Sequence, residues 1–416
     1  MVAIVLLILG VLASQIPGVP ASAHKHGRNA HHRPPPSPAT PTAASTETAA
    51  AAAQLDRLSQ VALQNAIEKF EEELISPDGC NALNLRVRRD WRDFSYRDKR
   101  EYIDSVLCLQ RLPARTPSKL APGAKTRFDD FVVTHINKTM EIHYTGTFLA
   151  WHRYFVHGFE TALRDECGYT GDYPYWDWGA DTHDMSKSPV FDGSETSMSG
   201  NGVHIRDAKD IQLKMGNIAP ISLPAGTGGG CVHNGPFKDY TVNLGPGPLE
   251  LCGGNVSKVA HPMDYNPRCF RRDLTTEILQ QYANYTSIVS LIINNNNIWD
   301  FQMAMQGIPG SGTIGVHGGG HYAMGGDPGR DVFMSPGDPA FWLHHGMIDR
   351  VWWIWQNLDL ETRQNAIAGT GTFLNQPPSP NTTLATVIDL GWANLGPIAM
   401  KDLMSASDGP FCYVYR

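Results

Sequence analysis

The sequence predicts a mostly α-helical domain with long irregular connections and few strands. Apolar residues recur at helical spacing in five stretches: Leu55–Leu74, Tyr96–Leu109, Phe148–Arg164, Thr275–Asn294 and Ala340–Leu358. Between residues 181 and 266 the chain is instead rich in Gly, Pro and Asn, which is typical of irregular surface structure. No internal repeat interrupts this pattern, so a single large domain is the expected organisation.

The composition excludes a fully disordered chain and gives no support for nucleic-acid binding. The chain has 416 residues, of which 42% are hydrophobic, enough for a sizeable core. Only 18% are charged, and Gly (40) and Pro (29) are frequent, as expected of a loop-rich protein. The net charge is −7, whereas a nucleic-acid-binding domain is expected to carry an excess of basic residues. The sequence does not indicate an oligomeric state.

The N-terminal segment has the pattern of a secretory signal peptide. The apolar run Val2–Val11 is shorter than the ~20 residues of a membrane span, and Ala21-Ser22-Ala23 offers small residues for cleavage near Ala23. We therefore expect residues 1–23 to be removed and the protein to be secreted, without a membrane anchor. Residues 24–54, rich in His and then in Pro, Ala and Thr, are expected to form a disordered leader. Residues 55–416 form the predicted domain.

Two further features fit an oxidising compartment. Four Asn-X-Ser/Thr motifs, at Asn137, Asn255, Asn284 and Asn381, are possible glycosylation sites. The seven cysteines are expected to be mostly disulfide-bonded, with an odd one left over, but sequence does not assign the pairs.

A first group of histidines surrounds a predicted helix start. His143 and His152 are nine residues apart, so on one helix they would point about 180° apart. Both can face one metal only if a new helix starts after His143, and Thr145-Gly146-Thr147 is a plausible turn. That helix would direct His152 to the same side as Phe155. His135 lies upstream, and His157 lies off this face and is interpreted as an ordinary polar residue.

A second group lies near the C-terminal helix. His317 and His321 are four residues apart and can share one side of a helical turn, although three intervening glycines make a distorted turn equally possible. On the helix after Pro339, His345 shares a face with apolar residues, and His344 is turned about 100° away and is the less favoured ligand. Asp349, four residues after His345, can fix this helix or orient a ligand indirectly.

The donor atoms in the two groups favour copper. Imidazole suits Zn, Cu, Fe and Ni, but di-iron sites bring Glu ligands and hydrolytic zinc pairs usually recruit carboxylates. Neither trio has a carboxylate at one of its ligand positions. Two all-imidazole trios therefore indicate two copper ions and chemistry on dioxygen.

These residues lie in motifs that resemble the tyrosinase superfamily. His143, Phe148-Leu149-Ala150-Trp151-His152-Arg153, Val156 and Glu160 match its copper A signature. Asp338-Pro339, Phe341, His345 and Asp349 match its copper B signature, and Tyr175-Trp176-Asp177-Trp178 resembles an aromatic motif of the same family. The similarity extends from about Cys80 to the C-terminus and is greatest to short secreted fungal tyrosinases and catechol oxidases.

The resemblance implies a central helical bundle that holds a binuclear, type 3 copper site. By resemblance, copper A is bound by His135, His143 and His152, and copper B by His317, His321 and His345. It implies oxidation of small phenolic substrates, o-diphenols to o-quinones, with dioxygen as co-substrate. Tyr413 and Tyr415 resemble the tyrosine motif that closes the catalytic core, so no C-terminal lid domain is expected.

Departures from the family pattern predict weak monophenol hydroxylation. Gly318 follows the first copper B histidine, where many tyrosinases have Asn, and no Glu occurs between Glu277 and His317. Gln302 and Gln306 lie on this approach, and a neutral amide is a far poorer proton acceptor than a carboxylate. Gln306, Gly318 and Phe341 are therefore the candidate activity-tuning positions.

Four alternatives remain open at this stage. The first is a full tyrosinase that also hydroxylates monophenols, and the second is an o-aminophenol oxidase, which also occurs with Gly after a copper B histidine. The third is an oxygen carrier like the molluscan haemocyanins, and the fourth is a secreted glycoprotein with a vestigial site.

Overall fold

The computed structural model describes residues 43–72, 79–81, 83–214, 218–247 and 261–416. The signal peptide, most of the leader, Cys252 and Asn255 lie outside these ranges. Within them the chain forms ten α-helices and eleven short strands. The helices are α1 Ala43–Glu72, α2 Tyr96–Leu109, α3 Arg127–Ile142, α4 Phe148–Cys167, α5 Thr276–Tyr282, α6 Tyr285–Asn294, α7 Ile298–Gln306, α8 Gly315–Met324, α9 Phe341–Asn357 and α10 Leu360–Arg363. The predicted mostly α-helical fold is confirmed.

The strands are short and lie around the helices. They are β1 Arg86–Asp90, β2 Pro174–Tyr175, β3 Gly202–His204, β4 Ile211–Leu213, β5 Ile221–Leu223, β6 Gly229–Val232, β7 Thr241–Val242, β8 Arg268–Cys269, β9 Val387–Ile388, β10 Ile398–Ala399 and β11 Tyr413–Tyr415. Strand β1 pairs in parallel with β11 and with β2, in the order β11-β1-β2. The last strand of the chain is thereby joined to the segment that precedes α2.

Local capping explains several helix ends. Ser95 and Asp98 form a capping box at the start of α2, and Thr126 and Asp129 form another at the start of α3. Helix α4 ends at Gly168, whose φ of 71° lies in the left-handed region that glycine adopts readily. The predicted bounds of α2 are confirmed, and α4 and α9 begin at or next to their predicted starts.

Two helical predictions were wrong in their limits, and some helices were not predicted at all. Helix α1 begins at Ala43, so the expected disordered leader to residue 54 is too long, because the Ala-rich stretch favours helix. The single helix predicted over Thr275–Asn294 is two, because Asn284 caps the start of α6 by accepting a hydrogen bond from the Ser287 amide. Helices α3, α7 and α10 were not predicted, although α3 has an apolar face and the capping box of Thr126 and Asp129 marks its start.

Helix α9 is the centre of the core. All of its residues are buried, and it packs against α4, α1, α6 and α8. Helix α4 also packs against α2 and α3, while α8 packs against α5 and α7. The two parts of the chain that carry the histidine groups, around α3–α4 and α8–α9, are therefore brought together by direct packing of α4 on α9.

Three disulfides connect six of the seven cysteines. They are Cys80–Cys412, Cys108–Cys167 and Cys231–Cys269, which leaves Cys252 as the odd one. In the described part of the chain no helix is long and apolar enough to cross a membrane. Asn137 and Asn381 are exposed and Asn284 is partly exposed, which makes their side chains accessible to modification. Glycosylation at these sites remains a prediction.

Candidate dinuclear metal centre

The first histidine group lies where helices α3 and α4 meet. His135 lies on α3, His143 directly follows the end of α3, and His152 lies on α4. Each imidazole offers one ligand nitrogen, and the three nitrogens lie within 4.8 Å of one another. The predicted break after His143 is confirmed, because α4 begins at Phe148. This break is what allows histidines nine residues apart to face one point.

The second group is formed by two helices that pack together. His317 and His321 lie one turn apart on α8, which is a regular helix despite its three internal glycines. Ring nitrogens of these two residues, His344 and His345 lie within 4.8 Å of one another. The Nε2 atom of His345 is 3.3 Å from Nε2 of His321, and its ring stacks on His152 with centroids 4.5 Å apart. His345 therefore lies between the two groups.

His344 is closer to the second group than its position on the helix suggests. Its ring centroid lies 4.4 Å from that of His321, because α8 approaches α9 closely at Gly320. On its other side the ring contacts Trp178, with centroids 5.3 Å apart. His344 therefore packs against the second group from the side of the aromatic core, whereas His345 faces the first group.

Backbone carbonyls fix the orientation of four imidazoles. A carbonyl can only accept, so each Nδ1 carries the proton and donates it, which leaves Nε2 as the free donor of an electron pair. The four hydrogen bonds are His135 to Phe333 O at 3.0 Å, His143 to Thr139 O at 2.9 Å, His152 to Phe148 O at 2.8 Å and His321 to Gly329 O at 3.1 Å.

Burial keeps these imidazoles neutral at neutral pH. Each of the six predicted ligands is at most 8% exposed. Loss of solvation lowers the pKa of His143 to about 4 and that of His321 to about 3. The pKa values of His135, His152, His317 and His345 are also lowered, first by burial and then by neighbouring histidines. Neutral imidazole is the form that binds metal.

The donor atoms fit a pair of soft or borderline metal ions. The Nε2 atoms of His135, His152 and His317 are buried and have no hydrogen-bond partner. A buried polar atom without a partner costs about 1–3 kcal/mol, a cost that a bound metal ion removes. Neither group includes a carboxylate or a cysteine. All-nitrogen donors suit copper and zinc better than magnesium, calcium or manganese.

A cavity of about 370 Å³ opens onto both groups. His143, His317 and His321 form part of its lining, with Tyr144, Phe373 and several aliphatic side chains around them. Among the described residues that line it there is no Asp or Glu. A small aromatic molecule can therefore approach both histidine groups from one apolar side.

The structure separates the three candidate tuning residues. Gly318 and Gln306 line the cavity, whereas Phe341 is fully buried and packs under the site, with its ring centroid 4.2 Å from that of His345. The Gln306 Oε1 atom accepts a hydrogen bond from the Tyr144 amide at 2.7 Å, and Nε2 donates to the Gln302 carbonyl at 3.1 Å. Gln306 thus holds the residue that follows His143.

Asp349 forms hydrogen bonds that connect secondary-structure elements, and its described partners do not include an imidazole. Its carboxylate accepts hydrogen bonds from Arg153 Nε at 2.6 Å, from Arg88 Nη1 at 3.1 Å and from the hydroxyls of Tyr413 and Tyr415, each at 2.6 Å. Arg153 follows His152, so this ion pair joins α9 to α4. Burial would raise the pKa of Asp349, but Arg153 and Arg88 hold it below its usual value.

Sequence reasoning missed most of the residues that line the cavity, among them Tyr144 and Arg330. Tyr144 adopts a φ of 52°, and its hydroxyl donates to the Gln306 carbonyl at 2.8 Å. Its position next to His143 could have indicated this role. Arg330 follows Gly329 in a Gly-rich loop, and no periodic pattern marks it.

Comparisons with known proteins identify the family of this chain. Residues 125–358 match the family model of the common central domain of tyrosinase. The chain is 40% identical over 330 residues to Tyrosinase P of Aspergillus terreus, covering 79% of this chain and 91% of that protein. It is 39% identical over 350 residues to the N-acetyl-6-hydroxytryptophan oxidase ivoB of Emericella nidulans, covering 81% and 94%. A glycine-to-asparagine mutant of polyphenol oxidase from Thermothelomyces thermophila superposes with a TM-score of 0.81 at 42% identity, covering 87% and 97%. The chain belongs to the tyrosinase family.

Proposed function

We propose that the protein is a dicopper catechol oxidase that converts o-diphenols to o-quinones with weak or no hydroxylation of monophenols. His135, His143 and His152 would hold one copper ion, and His317, His321 and His345 the other. Two copper ions bound there would supply the redox chemistry that couples oxidation of catechols to reduction of dioxygen. Two catechols lose four electrons and four protons in all, which reduces one dioxygen to two waters.

The observation that carries the specificity is the absence of a carboxylate from the described cavity lining. Monophenol hydroxylation begins with removal of a phenolic proton, for which a positioned carboxylate is an effective acceptor. Gln306 cannot replace it, because its Oε1 already accepts from the Tyr144 amide and its Nε2 donates to Gln302. The apolar walls still orient an aromatic ring against the histidines and exclude bulk water.

Oxygen uptake on 4-methylcatechol and 4-methylphenol tests this proposal. The copper-loaded protein should oxidise the monophenol at least about a hundredfold more slowly, the contribution typical of a positioned proton acceptor. Comparable rates without a lag would make the protein a full tyrosinase. Faster turnover of 2-aminophenol than of the catechol would favour an o-aminophenol oxidase, the alternative that Gly318 supports. Reversible oxygen binding without turnover would favour an oxygen carrier.

Metal analysis of paired variants tests the ligand assignment. His345→Ala should reduce bound copper from two ions towards one, because His345 Nε2 lies beside His321 Nε2. His344→Phe, the matched change at the neighbouring position, should retain both ions. The opposite ranking would make His344 the ligand, and well under two coppers in the wild type would support a vestigial site.

We also propose that the protein is secreted after removal of residues 1–23. The signal-like N-terminal pattern and the three disulfides support an oxidising destination. N-terminal sequencing of protein from the medium should begin near His24, and retention in cells with an intact N-terminus would contradict the proposal.

A further inference from the structure

One loop holds a histidine of each metal group. The carbonyl of Phe333 accepts the hydrogen bond from His135 Nδ1 at 3.0 Å, and the carbonyl of Gly329 accepts the one from His321 Nδ1 at 3.1 Å. Both carbonyls belong to residues 328–335, which we call the carbonyl loop and which lie between α8 and α9. The conformation of this loop therefore bears on the orientation of an imidazole in both groups at once.

The other two oriented imidazoles do not depend on the carbonyl loop. His143 Nδ1 donates to the carbonyl of Thr139 at 2.9 Å, and His152 Nδ1 donates to the carbonyl of Phe148 at 2.8 Å. Each acceptor lies four residues earlier in the chain, so local backbone geometry supplies it. These two histidines form an internal reference for any change in the loop.

Asp331 connects the parts of the carbonyl loop with one another. Its carboxylate is buried, and Oδ1 accepts a hydrogen bond from the Phe333 amide at 2.9 Å, the turn that Asp commonly forms with the amide two residues on. Oδ2 accepts from the Gly247 amide at 2.7 Å, which lies in a distant segment. The Asp331 amide donates to the Pro328 carbonyl at 2.9 Å, and its carbonyl accepts from the Ser335 amide at 2.8 Å. Asp331 therefore bonds to the first and to the last residue of the loop.

Neighbouring segments hold this conformation in place. The Phe333 side chain belongs to a buried apolar cluster that includes Val133 and Ile136 of α3, the helix that carries the first metal group. Gly247 approaches the loop closely, since a Cβ added there would lie 2.6 Å from Phe333 Cδ2 and 2.7 Å from Asp331 Oδ1. A larger residue at Gly247 would therefore displace the Phe333 ring or the Asp331 carboxylate.

We propose that Asp331 is a positioning residue for both metal groups, because it sets the conformation of the loop whose carbonyls orient His135 and His321. Its carboxylate acts through backbone amides. Groups that orient a metal-bound histidine typically change metal affinity 10- to 100-fold when they are removed. This inference rests on the proposed dicopper centre, and it adds a connection between the two ions: loss of Asp331 should weaken the binding of both.

Competition for Cu(I) with bicinchoninate, without dioxygen, measures both affinities in the full-length protein. Asp331→Ala should lower each affinity about tenfold or more. Asp331→Asn should lie between Asp331→Ala and the wild type, because its one oxygen can still accept a hydrogen bond but its NH₂ group replaces the second acceptor. Gly247→Ala should weaken both ions with Asp331 still present. Asp184→Ala is the matched control, since Asp184 accepts a similar hydrogen bond from the Ser186 amide at 2.9 Å, at the start of a short helix without histidine.

Nuclear magnetic resonance distinguishes positioning from general destabilisation. In Cu(I)-loaded protein with ¹⁵N-labelled histidine, Asp331→Ala should speed the solvent exchange of the Nδ1 protons of His135 and His321. The Nδ1 protons of His143 and His152 should exchange as in the wild type, because their acceptors lie outside the carbonyl loop. A purely structural role for Asp331 would affect all four protons alike.

Several results would overturn the inference. These are an equal change in all four Nδ1 signals, weaker binding at only one metal group, wild-type affinities in Asp331→Ala, or the same loss in Asp184→Ala. If the wild type binds no Cu(I), the proposed function fails. The four Nδ1 signals of the metal-free chain then test Asp331 by themselves, and a selective change at His135 and His321 would still support its positioning role.

Discussion

The imidazole of His344 lies directly beside the backbone of Gly320. A Cβ added to Gly320 would be 2.3 Å from both Cε1 and Nδ1 of that ring, a distance at which one group must move. The two residues belong to α8 and α9, so this contact sets the distance between the helices that carry His321 and His345. A glycine inside a helix, normally unfavourable, is explained here by close packing.

We expect Gly320→Ala to weaken the second metal group. Alanine favours helix over glycine, so any loss must come from the displaced His344 ring and a wider separation of α8 and α9. Bound copper should fall from two ions towards one, measured by elemental analysis of the folded protein. Gly396→Ala is the control, since no heavy atom lies within 4 Å of its added Cβ. Wild-type copper content in Gly320→Ala would show that the helices adjust without cost.

We expect Gln306→Glu to leave monophenol hydroxylation weak although it adds a carboxylate. The new side chain can accept from the Tyr144 amide but cannot donate to the Gln302 carbonyl, so two acceptors would meet. The free energy of unfolding should fall by about 1–3 kcal/mol. Thr313→Glu is the matched variant, because Thr313 lines the cavity without these contacts and its carboxylate can face a phenol. Only Thr313→Glu should raise the ratio of 4-methylphenol to 4-methylcatechol oxidation, and a rise in Gln306→Glu would contradict this account.

Asp349→Asn should destabilise the fold more than it alters the metal site. Asp349 is buried between Arg153 and Arg88, and removal of its charge leaves both guanidinium groups poorly compensated. We expect a loss of about 3 kcal/mol in denaturant unfolding, with copper content unchanged in the folded fraction. Asp104→Asn removes a carboxylate that is 58% exposed and paired with Arg100, and should change stability by less than about 1 kcal/mol. Equal effects of both changes would rule out a special role for the buried carboxylate.

His157 should make the protein sensitive to acid. Burial lowers the pKa of His157 to about 4, and its ring packs against Phe411 with centroids 5.1 Å apart. The pKa of His157 in the folded protein lies below its unfolded value of about 6.5, so as the pH falls the unfolded state binds the proton first. The free energy of unfolding that is present above pH ~6.5 is therefore lost as the pH falls towards 4. In copper-loaded protein His157→Gln should lose about 3 kcal/mol less than the wild type over this range. Parallel pH profiles of unfolding free energy would contradict the assignment.

The sequence by itself determined the positions of most long helices and suggested the candidate ligands, because both depend on residues near in the chain. The spacing of His143 and His152 required a break, and α4 begins at Phe148 as that argument predicts. His317 and His321 lie one turn apart on the same helix. Helix α3 was not predicted although a local signal, the capping box of Thr126 and Asp129, marks its start.

Only the tertiary structure decided how these residues meet. Packing of α4 on α9 brings His152 and His345, 193 positions apart in the sequence, to a centroid distance of 4.5 Å. Tertiary packing likewise gives His135 its carbonyl from Phe333 and gives Gln306 its contact with Tyr144. It also places Arg330 in the cavity wall. These contacts join residues distant in sequence, and local periodicity carries no information about which distant groups will share a buried space.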